Sequence, residues 1–143
     1  MAATVALPPL YLLVEETSRE LASRVLLATV GANAGFTSHI IPQWFAWEHM
    51  GELPPGVMLF KGNNSTQSGH MVTGRAAGHR VAALEEEILG VTKDEQILRY
   101  FQSDMVDACE LFLVQGKHAR DILAAKHPRL AERIVVTGNP RTD

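Results

Sequence analysis

Residues Leu10 to Val14 are apolar at every position, and Glu15-Glu16 and then Thr17-Ser18-Arg19-Glu20 follow without a spacer. An unbroken apolar run of this length predicts a strand covered on both faces. The S/T-x-x-E form predicts a helix that starts at once, with Glu20 reaching back to the backbone N–H of Thr17. Leu21, Val25, Ala28 and Ala32 recur at helical spacing, which predicts that they face the sheet, leaving Arg19, Glu20, Ser23 and Arg24 to the helix start and outer face.

The same alternation returns along the chain. A half-apolar strand is expected over 36–41, and a helix over 43–53 carries Trp44, Phe45, Trp47 and Met50 at approximate helical spacing. A short strand over 57–60 runs into the polar loop Lys61-Gly62-Asn63-Asn64. Residues 67–79 form only a weak helix on propensity, because Gly69, Gly74 and Gly78 lower it. A fourth strand over 81–84 ends in Glu85-Glu86-Glu87, matching the acidic end of the first. Thr92-Lys93-Asp94-Glu95 is a second capping box, opening a helical segment that runs toward Cys109 and breaks near Ser103. A fifth strand over 111–114 turns through Gln115-Gly116-Lys117 into a helix that His127-Pro128 interrupts. A sixth strand over 134–137 closes on Gly138-Asn139-Pro140-Arg141.

Strands alternating with helices at βαβ spacing predict an α/β fold with a doubly wound, mostly parallel, Rossmann-like sheet of about six strands. The 143 residues fit a single domain. After the last strand only a polar turn separates it from Asp143, with no helix to cover it, so the expectation is a Rossmann-like N-terminal domain cut before a second domain of the same kind. An apolar fraction of 46% is ordinary for a globular chain, and a net charge of −3 gives no electrostatic footprint for a nucleic-acid partner. One cysteine, Cys109, closes no intrachain disulfide and has no CxxC companion, which fits a reducing compartment and argues against structural zinc. The N-terminal segment lacks a basic n-region and no apolar run reaches about 20 residues. The expected location is cytoplasmic.

Ligands of open parallel sheets bind beyond the carboxyl ends of the strands, where Glu15, Glu16, Arg19 and Glu20 are the first candidates. Arg19 opposes the helix dipole at a helix start, which calls for pairing with a carboxylate or an anionic ligand. Glu85, Glu86 and Glu87 crowd a second strand end, with Glu85 and Glu87 alternating to one side and Glu86 to the other; Glu85 and Glu86 are the candidate general bases. Asn63, and Asn139 with Arg141, lie in small polar loops leaving strands, able to offer backbone N–H groups to an oxyanion. Neither loop is a P-loop or a G-x-G-x-x-G, and an acidic first turn repels a pyrophosphate, so the edge suits a hydroxyl-rich or cationic group. No metal spacing occurs: His70 and His79 flank the glycine-rich segment and fit surface positions. Trp44 and Trp47 fit the core better than a sugar platform.

The order of strand-VEETSREL, HRVAALEEE, LFLVQGKHARDIL and ERIVVTGNPRTD resembles the N-terminal half of bacterial surface carbohydrate biosynthesis proteins, which look like glycosyltransferases of the two-Rossmann GT-B type. The family pattern has a glycine after its second acidic cluster, where this chain has Glu87-Ile88. The resemblance implies transfer of a sugar from a nucleotide-sugar donor, held by a second domain, to a glycan acceptor held by this one, with Glu15, Glu16, Arg19, Glu20, Asn63, Asn139 and Arg141 on the substrate side. It implies no cofactor and no required divalent metal, and it admits peripheral membrane association of the whole protein. A nucleotide-sugar epimerase of the same fold, and a noncatalytic glycan- or partner-binding module, are the competing classes. The uncovered last strand further predicts self-association.

Overall fold

The computed structural model describes residues 6–87, 93–101 and 107–142. Its six strands are β1 (Leu10–Val14), β2 (Ser38–Pro42), β3 (Val57–Lys61), β4 (Arg80–Leu84), β5 (Leu111–Val114) and β6 (Ile134–Val136). They form one all-parallel sheet in the order β2-β1-β3-β4-β5-β6. The crossovers carry α1 (Thr17–Asn33), α2 (Gln43–His49), α3 (Ser65–Ala76), α4 (Asp94–Arg99) and α5 (Lys117–Lys126), with a 3₁₀ helix over Pro128–Arg133 before β6. The expected doubly wound, Rossmann-like sheet is the observed fold.

Alternation along the strands divides the core between two faces. Tyr11, Leu13, Met58, Phe60, Val81, Ala83, Phe112 and Val114 pack against Ala46 of α2, Met71 of α3 and Leu123 of α5. Leu12, Leu59, Ala82 and Leu84 point the other way, where Leu27 and Ala28 of α1 meet them. Each of the large buried side chains contributes about 2–3 kcal/mol by leaving water. On the α1 face, Leu111 and Val135, in register with Ala82 and Leu113, remain exposed.

Helix α1 is rotated from its expected setting. Its inner face is Glu20, Ser23, Arg24, Leu27, Ala28 and Gly31, a helical repeat displaced by one residue, while Leu21, Val25, Leu26 and Val30 face outward. Polar residues hold the inner face because what lies opposite is polar: Arg24 donates from Nε to the Leu13 carbonyl at 2.8 Å and from Nη1 and Nη2 to both carboxylate oxygens of Glu86 at 2.6 and 3.0 Å.

Helix α3 forms despite its glycines. Asn64 caps it by accepting from the Gln67 backbone N–H at 3.0 Å, and Gly74 faces Met50, Met58 and Val81, where a Cβ would stand at ordinary contact distance. The capping-box threonine at position 92 and the predicted break near Ser103 lie outside the described residues; α4 itself spans Asp94–Arg99. Two assignments to surface or core are reversed. His79 is buried, accepting from the Gly56 N–H through Nδ1 and donating from Nε2 to the Met50 carbonyl at 2.7 Å. Trp44, assigned to the core, is 60% exposed, because α2 turns Ala46 inward instead.

A polar cleft at the switch point of the sheet

Strand order reverses at β1: the chain leaves it leftward to β2 and returns on its right at β3. The β1–β3 ladder stops at Leu12 and Leu59, two residues short of the end of either strand. A cleft of about 330 Å³ opens at the carboxyl end of this seam, the place where open α/β sheets bind ligands.

Its charged wall comes from three strand ends. Glu15 follows β1, Lys61 closes β3 and Glu87 follows β4. Lys61 is buried, and its ammonium pairs with Glu15, with Glu20 at 3.2 Å and with Glu87 at 2.8 Å. Burial acts to lower the Lys61 pKa, but the hydrogen bonds to Glu15 and Glu87 and the fields of Glu20 and Glu87 outweigh it and hold the pKa above its ordinary value. Arg19 adds contacts to Glu20 at 3.1 Å and to Glu15 at 3.4 Å; the bond to Glu20 first, then the fields of Glu20, Glu87 and Glu16, raise its pKa against the opposing effect of burial. The polar wall opposite is Gln43 and Trp47 from α2, with Asn64, Thr66 and Gln67 from the start of α3.

Glu20 does not form the expected capping box. The helix is capped one residue earlier, at Glu16, and the buried Glu20 carboxylate accepts from the backbone N–H of Glu15 at 2.8 Å and, at 3.4 Å, of Glu16. Burial alone would raise its pKa; the bonds from the Glu15 N–H, Arg19 and Lys61 overcome that and hold it below the ordinary carboxylate value. Glu20 thus orients the turn and both cations rather than facing the cleft.

The two acidic turns come together as expected, with Glu15 and Arg19 from the first in the expected place, but the second contributes Glu87 instead of Glu85 or Glu86. Glu15, Arg19 and Glu87 line the cleft. Glu86, a candidate base, is fully buried against Arg24 beneath α1, so it meets no ligand there. Glu85 points toward the next crevice, accepting from the Glu87 N–H at 2.7 Å and lying against Gly62. Gly62 has φ +72°, and a Cβ there would come within 3.0 Å of the Glu85 carboxylate, so the turn after Lys61 requires glycine. Glu16 is exposed at the rim, 3.8 Å from Arg19.

Asn63 is buried, accepting from the Ser68 hydroxyl beneath the start of α3, and does not line the cleft. Asn139 and Arg141 follow β6, four strand positions from β1 and so about 19 Å across the sheet. Asn139 is buried and accepts from the Arg141 N–H at 3.0 Å, shaping its own turn.

Sequence reading missed Lys61, Gln43, Gln67 and Arg24. A lysine closing the otherwise apolar strand Val57–Lys61, at the same edge as two acidic turns, is a readable signal for the first; Gln43 and Gln67 give none. Among the described residues no group of three His, Cys, Asp or Glu is arranged to hold a metal ion, and the Lys61 ammonium stands among the carboxylates instead. No helix among the described residues is long and apolar enough to cross a membrane. Cys109 is buried, which pushes its thiol up to about 12, far from a reactive thiolate.

No family model matches this chain, and neither does any curated protein. Among solved structures, the chain is similar to a crystal structure of a YwlE mutant from Bacillus subtilis, over 91% of this chain and 70% of that one, at 11% identity and a TM-score of 0.30. A likeness that distant carries no functional argument.

Proposed function

We propose that this chain is the acceptor-side domain of a glycosyltransferase, and that the cleft between β1 and β3 holds the hydroxyl group that receives the sugar. The observation that carries this reading is the pair of partly exposed carboxylates, Glu15 and Glu87, held on either side of the Lys61 ammonium at the cleft wall. A sugar hydroxyl is a weak nucleophile near neutral pH, and a carboxylate within hydrogen-bond reach takes its proton as the new bond forms. Glu87 and Glu15, rather than Glu85 or Glu86, are positioned for that task. Lys61 and Arg19 orient them, and Glu20 anchors both cations from below. The wall sets two carboxylates, Glu15 and Glu87, against the two cations that pair with them, and has no glycine-rich phosphate cradle, which supports an acceptor here and a nucleotide donor bound elsewhere, on a second domain. The resemblance to bacterial surface carbohydrate biosynthesis proteins is in keeping with this division.

The test is release of nucleoside diphosphate from a panel of nucleotide sugars, with and without glycan acceptors, using the full-length protein. Acceptor-dependent release that falls about 10²- to 10⁴-fold in Glu87→Gln or Glu15→Gln, with folding intact, is the expected result. Isomerisation of the nucleotide sugar without an acceptor would replace transfer by epimerisation. Wild-type rates in both variants would remove the carboxylates from the chemistry.

A further inference from the structure

Two hydrogen-bonding groups of residues lining the cleft have no partner among the described residues: the indole N–H of Trp47 and the side-chain carbonyl of Gln67. Neither is loose. Gln67 is 4% exposed, its amide nitrogen donates to Gln43 Oε1 at 3.0 Å, and its backbone N–H is held by Asn64 Oδ1. Trp47 lies flat on the His70 imidazole, with ring centroids 3.8 Å apart and planes inclined by 5°. Buried polar groups are nearly always paired, because an unmade bond leaves the loss of hydration uncompensated. A donor and an acceptor, both fixed in orientation and belonging to one cleft, point to a ligand that completes them.

The chemistry of the pair narrows that ligand. The cations of the cleft, Lys61 and Arg19, are already taken up by Glu15, Glu20 and Glu87, so a carboxylate or phosphate oxygen could accept from Trp47 but would meet the Gln67 carbonyl dipole and the like charges of Glu15 and Glu87. An ammonium could donate to those oxygens but accept nothing from the indole. A hydroxyl both donates and accepts. We infer that Trp47 and Gln67 are the specificity-determining pair of this cleft, and that they select an uncharged, hydroxyl-bearing sugar ring over uronic acids and sugar phosphates. The inference deepens the acceptor reading above and rests on it for the sugar's role, while the recognition is an equilibrium property that needs no donor.

The experiment is titration of the chain with methyl hexopyranosides of gluco, galacto and manno configuration and with the corresponding uronates, followed by calorimetry and tryptophan fluorescence. At least one neutral glycoside should saturate with a dissociation constant in the millimolar range, and its uronate should bind about tenfold more weakly or not at all. Trp47→Phe keeps the ring and its stack on His70 but deletes the donor; it should weaken neutral binding by roughly three- to tenfold. Its thermal midpoint should fall by only a few degrees, the cost of the smaller ring on the core, since the deleted N–H makes no bond in the fold. Gln67→Met, which deletes the acceptor, should weaken the same sugar comparably. Failure of every neutral glycoside to bind, equal or tighter binding of a uronate, or unchanged affinity in Trp47→Phe would overturn the inference. Sugar binding without turnover would instead sink the transferase reading and leave this one standing.

Discussion

Replacing Arg24 by methionine removes the guanidinium that ties three parts of the fold together beneath α1. In the native chain both Arg24 and Glu86 are fully buried, and Arg24 spends its donors on both Glu86 oxygens, on the Leu13 carbonyl and, at 3.4 Å, on the Ser23 hydroxyl. Methionine leaves the Glu86 carboxylate buried with its charge unpaired. Breaking a buried pair from one side costs about 3–5 kcal/mol, against a total stability of roughly 5–15 kcal/mol for a domain. At about 2–4 °C per kcal/mol for a chain near this size, the thermal midpoint should fall by roughly 6–20 °C. Urea unfolding followed by circular dichroism measures the loss directly. The double variant Arg24→Met/Glu86→Leu deletes both charges and should recover most of it, retaining a deficit of about 1 kcal/mol for the Leu13 carbonyl. A single variant that loses less than about 1 kcal/mol, or a double variant no more stable than the single, would refute the view that this pair sets the position of α1.

Three further outcomes follow from the same geometry. Gly62→Ala should destabilise by about 1–2 kcal/mol in urea unfolding, since alanine is strained at φ +72° and meets the Glu85 carboxylate. The Lys61 cluster should contribute a pH-independent share of stability across a broad middle range. Glu20 has a lowered pKa, so its share is complete above about pH 4.5 and lost as pH falls through the lower folded value, whereas Lys61, with a raised pKa, loses its share only as pH climbs past about 10.5. Lys61→Met should therefore shift the acid-unfolding midpoint upward, and an unmoved acid limb would show that the cluster does not stabilise the fold. The outward stripe Leu21, Val25, Leu26 and Val30, with exposed Leu111 and Val135 on the same side of the sheet, should drive concentration-dependent association visible by light scattering, which Val25→Glu reduces.

The order and type of the elements were legible because most strands are short apolar runs bounded by Gly, Pro or acidic residues; Leu10–Val14 and Leu111–Val114 coincide with their strands to the residue, whereas the half-apolar β2 lies at Ser38–Pro42 instead of 36–41. The facing of α1 was not. Hydrophobic periodicity assumes an apolar partner, and here Glu86, arriving from β4, holds Arg24 inward while Lys61 and the N–H groups of the β1 turn hold Glu20, leaving the leucine and valine stripe in solvent. The capping box misled for a related reason: Glu20 has the right residue type at a helix start, yet its carboxylate serves the N–H groups of Glu15 and Glu16 while it is clasped by Lys61 and Arg19. Sequence also placed the acidic turns at one edge but could not say which carboxylate faces outward, because that depends on Lys61 and Arg24, drawn from 46 and 62 residues away.

The central claim, that the seam between β1 and β3 receives an uncharged sugar, is tested most directly by nitrogen–proton correlation NMR of the labelled chain during titration with the tightest-binding methyl hexopyranoside. Saturable shifts should appear at the Trp47 indole N–H and at the amides of Glu15, Lys61, Asn64 and Gln67, the residues that line the cleft. Shifts confined to the Asn139–Arg141 turn beyond β6, or no saturable shift at the Trp47 indole, would contradict it.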